Sequence, residues 1–386
     1  MRHTYERLFA PLTFNGGAEI ATRFAMAPMV AVGSTYEGYV QADDVNYFLR
    51  RANTASLLIT GAANVGPHGN AFGYGLGVDT DEHIPGLKRL ADAMKTKGNK
   101  AILQIFHPGR QAKYTYDDEG KVYGPSDKRF VFLDYPVTGL TTQEVYDYVD
   151  YFGQATHRAI QAGFDGVEIH GANHYLIQQF YSSLSNERQD EWGGDREKRA
   201  AFPLAIVKAV KDAAQGESID ENFIIGYRIS PEEIHGEVVG YNFDDSLYLI
   251  DQIAELGVDY IHTSSSGPRA YKKEATLGEH KGEVINDVVR ELLDGRAHLV
   301  GAGDVTSADK ALDALNYVDI VAMASAAIVE PDMMQKIKDG DKRDISLDIS
   351  GRVEDLALPR RFYMMVNTLK GNGSVPQVTI DLIANH

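Results

Sequence analysis

The chain has 386 residues, 44% of them hydrophobic and 24% charged, and a formal charge of −17 at pH 7. That acidic surplus excludes a nucleic-acid partner and disfavours an anionic membrane face, since both need basic surface. There is no cysteine, which removes disulfides, thiolate metal sites, iron–sulfur clusters and a cysteine nucleophile.

The opening MRHTYERLFAPL lacks the apolar core of a signal peptide, and no later run reaches membrane-spanning length. The expectation is a cytoplasmic enzyme; a homo-oligomer is compatible with the sequence and not specified by it.

Eight short apolar runs follow in chain order: RFAMAPM (23–29), SLLITGA (56–62), KAILQIF (100–106), FDGVEIHG (164–171), FIIGYRIS (223–230), VDYIHTSS (258–265), HLVGAGD (298–304) and YVDIVAMAS (317–325). They read as strands buried on both faces, as in a parallel sheet. Between them lie helical patterns at 82–98, 141–162, 195–214, 244–256, 283–295 and 307–316. In 141–162, Val145, Tyr148, Val149, Phe152, Ala155, Ala159 and Ile160 share a face behind a Thr141…Glu144 capping box. Eight such strands alternating with helices predict an α/β fold, the (β/α)8 TIM barrel, with a doubly wound open sheet as the alternative. A single barrel is expected over 1–350, with an extension over 351–386 packing on it. Residues 107–140 read as a long irregular loop, either an active-site lid or a plain solvent loop.

In such a barrel the site lies at the C-terminal strand ends. Those positions hold Pro28, Met29, Ala62, Gln104, Phe106, His170, Arg228, Ser264, Ser265, Gly301, Gly303 and Ser325, with Asn173 and Tyr175 just beyond the fourth strand. Neutral His170 and Asn173 are both donors and suit one carbonyl or developing oxyanion, while Tyr175 can supply a proton. A polar cluster that satisfies only the loop backbone is the alternative for any one of them.

The stretch HGANHYLIQQFYSSLSNERQDEWGGDREKRAAF resembles the signature of the old yellow enzyme family, FMN-dependent ene-reductases. So do LFAPLTFNG…RFAMAPM, ILQIFHPGRQA, YRIS and VGAGDVTSADKAL, spread over nearly the whole chain. The resemblance implies that His170 and Asn173 hold the carbonyl oxygen of an activated alkene and accept phenols as inhibitory ligands. It implies that Tyr175 protonates the alkene α-carbon, and that Gln104 and Arg228 bond the flavin. Ala27, Pro28, Met29, Val30 and Ala62 would line the ring, and Ser265, Gly301, Gly303, Ala324 and Ser325 would surround the phosphate. Phe106 falls where the family places a substrate-lining residue; one more core aromatic is the other reading. NADH or NADPH would reload the flavin at the same face. Gly301 and Gly303 begin a G-x-G without its third glycine, so no separate nicotinamide domain is expected.

Three positions depart from the family pattern. Val30 stands where relatives usually carry Thr or Cys, Gly61 where Glu is common, and Ser325 where an Arg meets the FMN phosphate. Either FMN is held loosely, or Arg269, Lys272 or Lys273 in SSSGPRAYKKEA replaces the guanidinium. Two other functions compete: a flavin-binding barrel without catalysis, and a metal-dependent barrel hydrolase built on His170 and Glu168. The leading reading assigns no residue to a metal.

Overall fold

The computed structural model describes residues 3–216 and 222–386. Each of the eight apolar runs contains a barrel strand: β1 (Phe24–Met26), β2 (Leu57–Ile59), β3 (Lys100–Phe106), β4 (Gly166–Gly171), β5 (Ile224–Ile229), β6 (Tyr260–Thr263), β7 (His298–Ala302) and β8 (Ile320–Met323). Every neighbouring pair is parallel, and β8 pairs with β1. The sheet closes on itself, which settles the choice between barrel and open sheet.

Closure gives each strand residue one of two fates, because side chains alternate across a strand. Val167, Ile169, Tyr227, Ile261 and Leu299 join the large core beneath the helices. Ala25, Leu57, Ile102, Ile224, Tyr260, Val300 and Ile320 point inward and form a second, smaller core. A short antiparallel hairpin, Leu12–Thr13 with Glu19–Ile20, delivers Phe14 and Ile20 to that inner core. Phe14 packs on Tyr260 with ring centroids 6.1 Å apart. The open end of the barrel is therefore the other one, where the strands terminate.

Helices α1 (Ala42–Arg50), α2 (Ile84–Met94), α3 (Thr142–Gln161), α4 (Ala201–Gly216), α5 (Phe243–Glu255), α6 (Ile285–Leu293), α7 (Ala308–Ala314) and α8 (Met333–Asp339) alternate with the strands. The α3 capping box is formed. Thr141 Oγ1 accepts from the Glu144 backbone N–H at 3.2 Å, and Glu144 Oε2 accepts from that of Thr141 at 2.7 Å. All seven residues of its expected apolar face are buried.

The segment 107–140 is not irregular. It holds a helix, Lys113–Glu119, and three short strands, Tyr123–Gly124, Lys128–Arg129 and Pro136–Gly139, in one small sheet. Ala112, Val122, Phe130, Tyr135 and Val137 give it a core of its own. Strands of two to four residues are too short to leave a periodic signal. In the C-terminal segment, Leu356, Phe362, Leu369, Ile380 and Ile383 are buried in the same large core as the barrel helices.

Candidate active site

The inward positions change character along the barrel axis. Above the apolar floor stand Gln104 on β3, Glu168 on β4 and His262 on β6, all buried. Gln104 Nε2 donates to Glu168 Oε1 at 2.6 Å, and Glu168 Oε2 lies 2.9 Å from His262 Nδ1. Glu168 and His262 are on strands separated by β5, whose residue beside Glu168 is Gly226. A Cβ there would lie 2.0 Å from the Tyr260 ring, so glycine makes room for that ring beside Glu168. Burial pushes the Glu168 carboxyl up, but His262, then Arg228 and Gln104, hold it below the ordinary carboxylate value. Burial lowers His262 against the pull of Glu168. An ionised Glu168 facing a neutral, Nδ1-protonated His262 satisfies both directions.

Two residues further along β4, His170 is in register with Arg228 on β5, and Arg228 with His262 on β6. The His170 imidazole is held well below its ordinary value by burial, then by Arg228 and His262, and is neutral. Its Nδ1 accepts from the Ala172 backbone N–H at 3.3 Å, which leaves the proton on Nε2. Burial also lowers Arg228, against Glu168, Tyr175 and Tyr260, and its Nε is buried without a hydrogen-bond partner.

Beyond β4 the chain turns through two consecutive left-handed residues, Asn173 (φ 56°) and His174 (φ 63°). Asn tolerates that region and His does so at a cost. The turn is fixed from three sides. The Asn173 N–H donates to Ser230 Oγ at 2.9 Å, its carbonyl accepts from Gln111 Nε2 at 2.9 Å, and its Oδ1 accepts from Ser264 Oγ at 2.8 Å. With Oδ1 engaged, Nδ2 is the outward donor. Tyr175 closes the turn. Its ring meets His170 edge-on at 5.0 Å and Phe106 at 5.1 Å, and burial pushes its hydroxyl up to about 12, against the opposing pull of Arg228.

A cavity of about 450 Å³ opens over this layer, within the ~300–1,000 Å³ of cofactor-sized pockets. Ala27, Pro28, Met29, Asn173, Arg228, Ser265, Gly303, Ala324 and Ser325 line it, while His170, Gln104 and Tyr175 are not among its lining residues. Ala62 and Phe106 line a second cleft, of about 230 Å³, together with Phe72, whose ring packs on both Phe106 and Tyr175. Phe106 is thus both core aromatic and cleft wall. Val30 and Ala62 lie together in a small crevice with Gly61, where a Cβ would sit 2.7 Å from both Met29 O and Val30 Cα. That contact accounts for glycine at 61. Gln104 sits below the cavity, bonded to Glu168. Gly301 does not line the cavity: it is on the outward face of β7, where a Cβ would lie 2.6 Å from Val318. Its absent side chain serves packing, and Gly303 alone of the pair reaches the cavity.

Of the three basic candidates after β6, Lys273 lines the cavity and Arg269 does not. Lys272 is drawn away to Asp313 at 2.7 Å. The sequence reading missed His262 altogether and met Glu168 only as a hydrolase candidate. With both Glu168 oxygens engaged inside the barrel, that metal-hydrolase reading loses its ligand.

These walls offer converging donors and one buried cation at a barrel mouth, an environment for a planar anionic organic cofactor. The chain belongs to the NADH:flavin oxidoreductase / NADH oxidase family, whose profile matches residues 7–344. It is 39% identical to a probable NADH-dependent flavin oxidoreductase of Bacillus subtilis over 96% of this chain and 98% of that one. It is 38% identical to the NADH:acrylate oxidoreductase of Vibrio harveyi over 86% of this chain and 33% of that longer protein. Among solved structures it resembles morphinone reductase in complex with tetrahydroNAD, at a TM-score of 0.72 and 27% identity over 86% of this chain and 91% of that one.

The protein is accordingly an NAD(P)H-dependent flavin oxidoreductase of the old yellow enzyme type, with FMN as cofactor. Its residues fit that cofactor: the partnerless Arg228 Nε and the strand-end backbone at 27–29, 303 and 324–325 all border one cavity. Among the described residues, no helix is long and apolar enough to cross a membrane.

Proposed function

We propose that the protein reduces the carbon–carbon double bond of alkenes conjugated to a carbonyl, with FMN as hydride carrier and NADH or NADPH as source. The observation that carries this reading is a neutral His170 with its proton on Nε2, beside a Tyr175 whose hydroxyl stays protonated to about pH 12.

When bound, FMN supplies the hydride chemistry. Arg228 and Gln104 would hold it, Arg228 placing positive charge where the reduced ring is negative. His170 Nε2–H and Asn173 Nδ2–H donate to the substrate carbonyl oxygen and stabilise the charge that gathers there; such a donor is commonly worth ~10²–10³ in rate. Tyr175 then gives its proton to the α-carbon. A phenol this weakly acidic stays protonated until a carbanion-like centre forms beside it. Phe72 and Phe106 supply an apolar wall. The start of the 107–140 segment, where Gln111 bonds the turn and the helix Lys113–Glu119 brings Thr115, Asp118 and Glu119 to the cleft, serves as its cover.

The relatives named for acrylate and morphinone reduction support an alkene substrate, and 2-cyclohexenone is the simplest probe of the neutral kind. The test is anaerobic turnover of the FMN-loaded protein with NADH and with NADPH. Cyclohexanone should form in proportion to nicotinamide oxidised. Nicotinamide oxidation that requires oxygen and yields no saturated ketone would leave a flavin oxidase in its place.

A further inference from the structure

We propose that His174, Glu233 and His235 form a binding site for a divalent transition-metal ion of the zinc class at the rim of the flavin cavity.

The cluster lies where the turn after β4 meets the hairpin after β5, formed by Glu233–His235 and Val238–Tyr241. Glu233 is 1% exposed, yet its Oε1 has no hydrogen-bond partner. A buried carboxylate oxygen without a hydrogen bond is costly. Oε1 points at two imidazoles: His174 Nδ1 is 3.6 Å away and His235 Nε2 is 3.5 Å away. Tetrahedral zinc with bonds near 2.1 Å separates its ligand atoms by about 3.4 Å, so both edges already have the span that one ion would bridge. The rings of His174 and His235 are 5.3 Å apart between centroids, and small rotations of these half-exposed side chains would complete the third edge. Among the described residues, no other group of three His, Asp or Glu side chains comes this close.

Three neighbours compete for these groups, of which Ser182 hydrogen-bonds the Glu233 carboxylate. Arg110 Nη2 stands 3.8 Å from the same Oε1, beyond hydrogen-bond reach, and the guanidinium bonds Ser185 Oγ instead. Gln178 Nε2 is 3.1 Å from His174 Nδ1 and 3.4 Å from Glu233 Oε2. Coordination at Nδ1 exchanges that neutral amide contact for a metal bond. Two imidazoles and one carboxylate suit zinc and leave a coordination position open to water or to a ligand entering the cavity. Because His174 stands between Asn173 and Tyr175, an ion here would tie the turn bearing both to the β5 hairpin. His174 also holds a left-handed backbone conformation that costs a side chain energy, as residues at ligand sites often do.

The test uses tag-free, FMN-loaded protein equilibrated with zinc sulfate, with bound metal counted by plasma mass spectrometry and affinity measured by calorimetry. One zinc per chain is expected. His235→Ala, at an exposed hairpin end, should keep its flavin spectrum and lose zinc affinity by more than about tenfold. Glu233→Gln should do the same, while His280→Ala, outside the cluster, should bind zinc like the parent. No uptake at millimolar zinc, or uptake unchanged in His235→Ala, would overturn the site.

Discussion

Gln104 Nε2 donates to Glu168 Oε1 at 2.6 Å inside the barrel, directly beneath the layer that holds His170 and Arg228. This bond fixes which end of the Gln104 amide faces upward: with one N–H spent on Glu168, Oε1 and the second N–H remain. It also places a buried negative charge next to Arg228, which offsets part of the positive field the cofactor meets. Replacing Glu168 by Gln removes that charge. The FMN reduction potential should rise, because the uncompensated Arg228 stabilises the reduced, negative ring. A potential that stays the same or falls in Glu168→Gln would separate this pair from the cofactor.

The barrel was legible before the structure because each strand is a compact apolar run and six of the eight helices named above keep a 3.6-residue rhythm; α1 and α8, short at nine and seven residues, were not legible. The interior pair was not legible either, although its signal was present: Glu168 and His262 are ionisable residues flanked on both sides by apolar residues or by buried strand neighbours. They come from strands that are not neighbours, β4 and β6, and only the closed barrel brings them within hydrogen-bond distance. Alternation also explains the error at Gly301. Its neighbours Val300 and Ala302 point inward and it points out, a distinction lost when strand ends are read without their parity. The phosphate-side cation was undecidable from SSSGPRAYKKEA because Lys272 and Lys273 are adjacent, and only the fold sends one to Asp313 and the other to the cavity.

Tyr175 is held as a protonated phenol by burial. Tyr175→Phe should slow reoxidation of the reduced enzyme by 2-cyclohexenone by ~10²–10⁴, while leaving reduction by NADH nearly unchanged. Stopped-flow measurement of the two half-reactions checks this. Equal slowing of both would make Tyr175 a packing residue of the cleft.

Lys273 lines the cavity that also holds Ser325, where relatives usually place an arginine. If Lys273 supplies the missing charge to the phosphate, Lys273→Ala should lose a charge-assisted bond of roughly 1.5–3 kcal/mol, about ten- to a hundredfold in FMN dissociation constant. Adding Ser325→Arg to that variant should restore affinity and steepen its salt dependence. Tight binding that survives loss of Arg269, Lys272 and Lys273 together would leave the phosphate to backbone amides alone.

His107 is buried and neutral: its Nε2 bonds Pro67 O at 2.9 Å, and its Nδ1 accepts from the Gly109 N–H at 3.1 Å. Burial, with His68 adding to it, pushes its value down to about 4 against the Pro67 bond. The unfolded imidazole titrates near 6.5. Between these values the unfolded chain binds a proton that the folded chain excludes. Stability is therefore full above about pH 6.5 and falls as pH drops toward 4. His170 and His262 act in the same direction. In His107→Gln, the loss of unfolding free energy between pH 7 and pH 5 should shrink by up to about 2 kcal/mol. Urea titrations at both pH values measure it, and an unchanged slope would contradict a neutral, buried His107.

The most direct measurement is a single turnover. FMN-loaded protein, reduced with one equivalent of NADH under argon, is mixed with 2-cyclohexenone while flavin absorbance and product are followed together. If His170, Asn173 and Tyr175 bind and protonate an activated alkene that the reduced flavin reduces, the flavin should reoxidise and one cyclohexanone should appear per flavin. A reduced flavin that persists in the presence of the enone, and reoxidises only when oxygen is admitted, would contradict it.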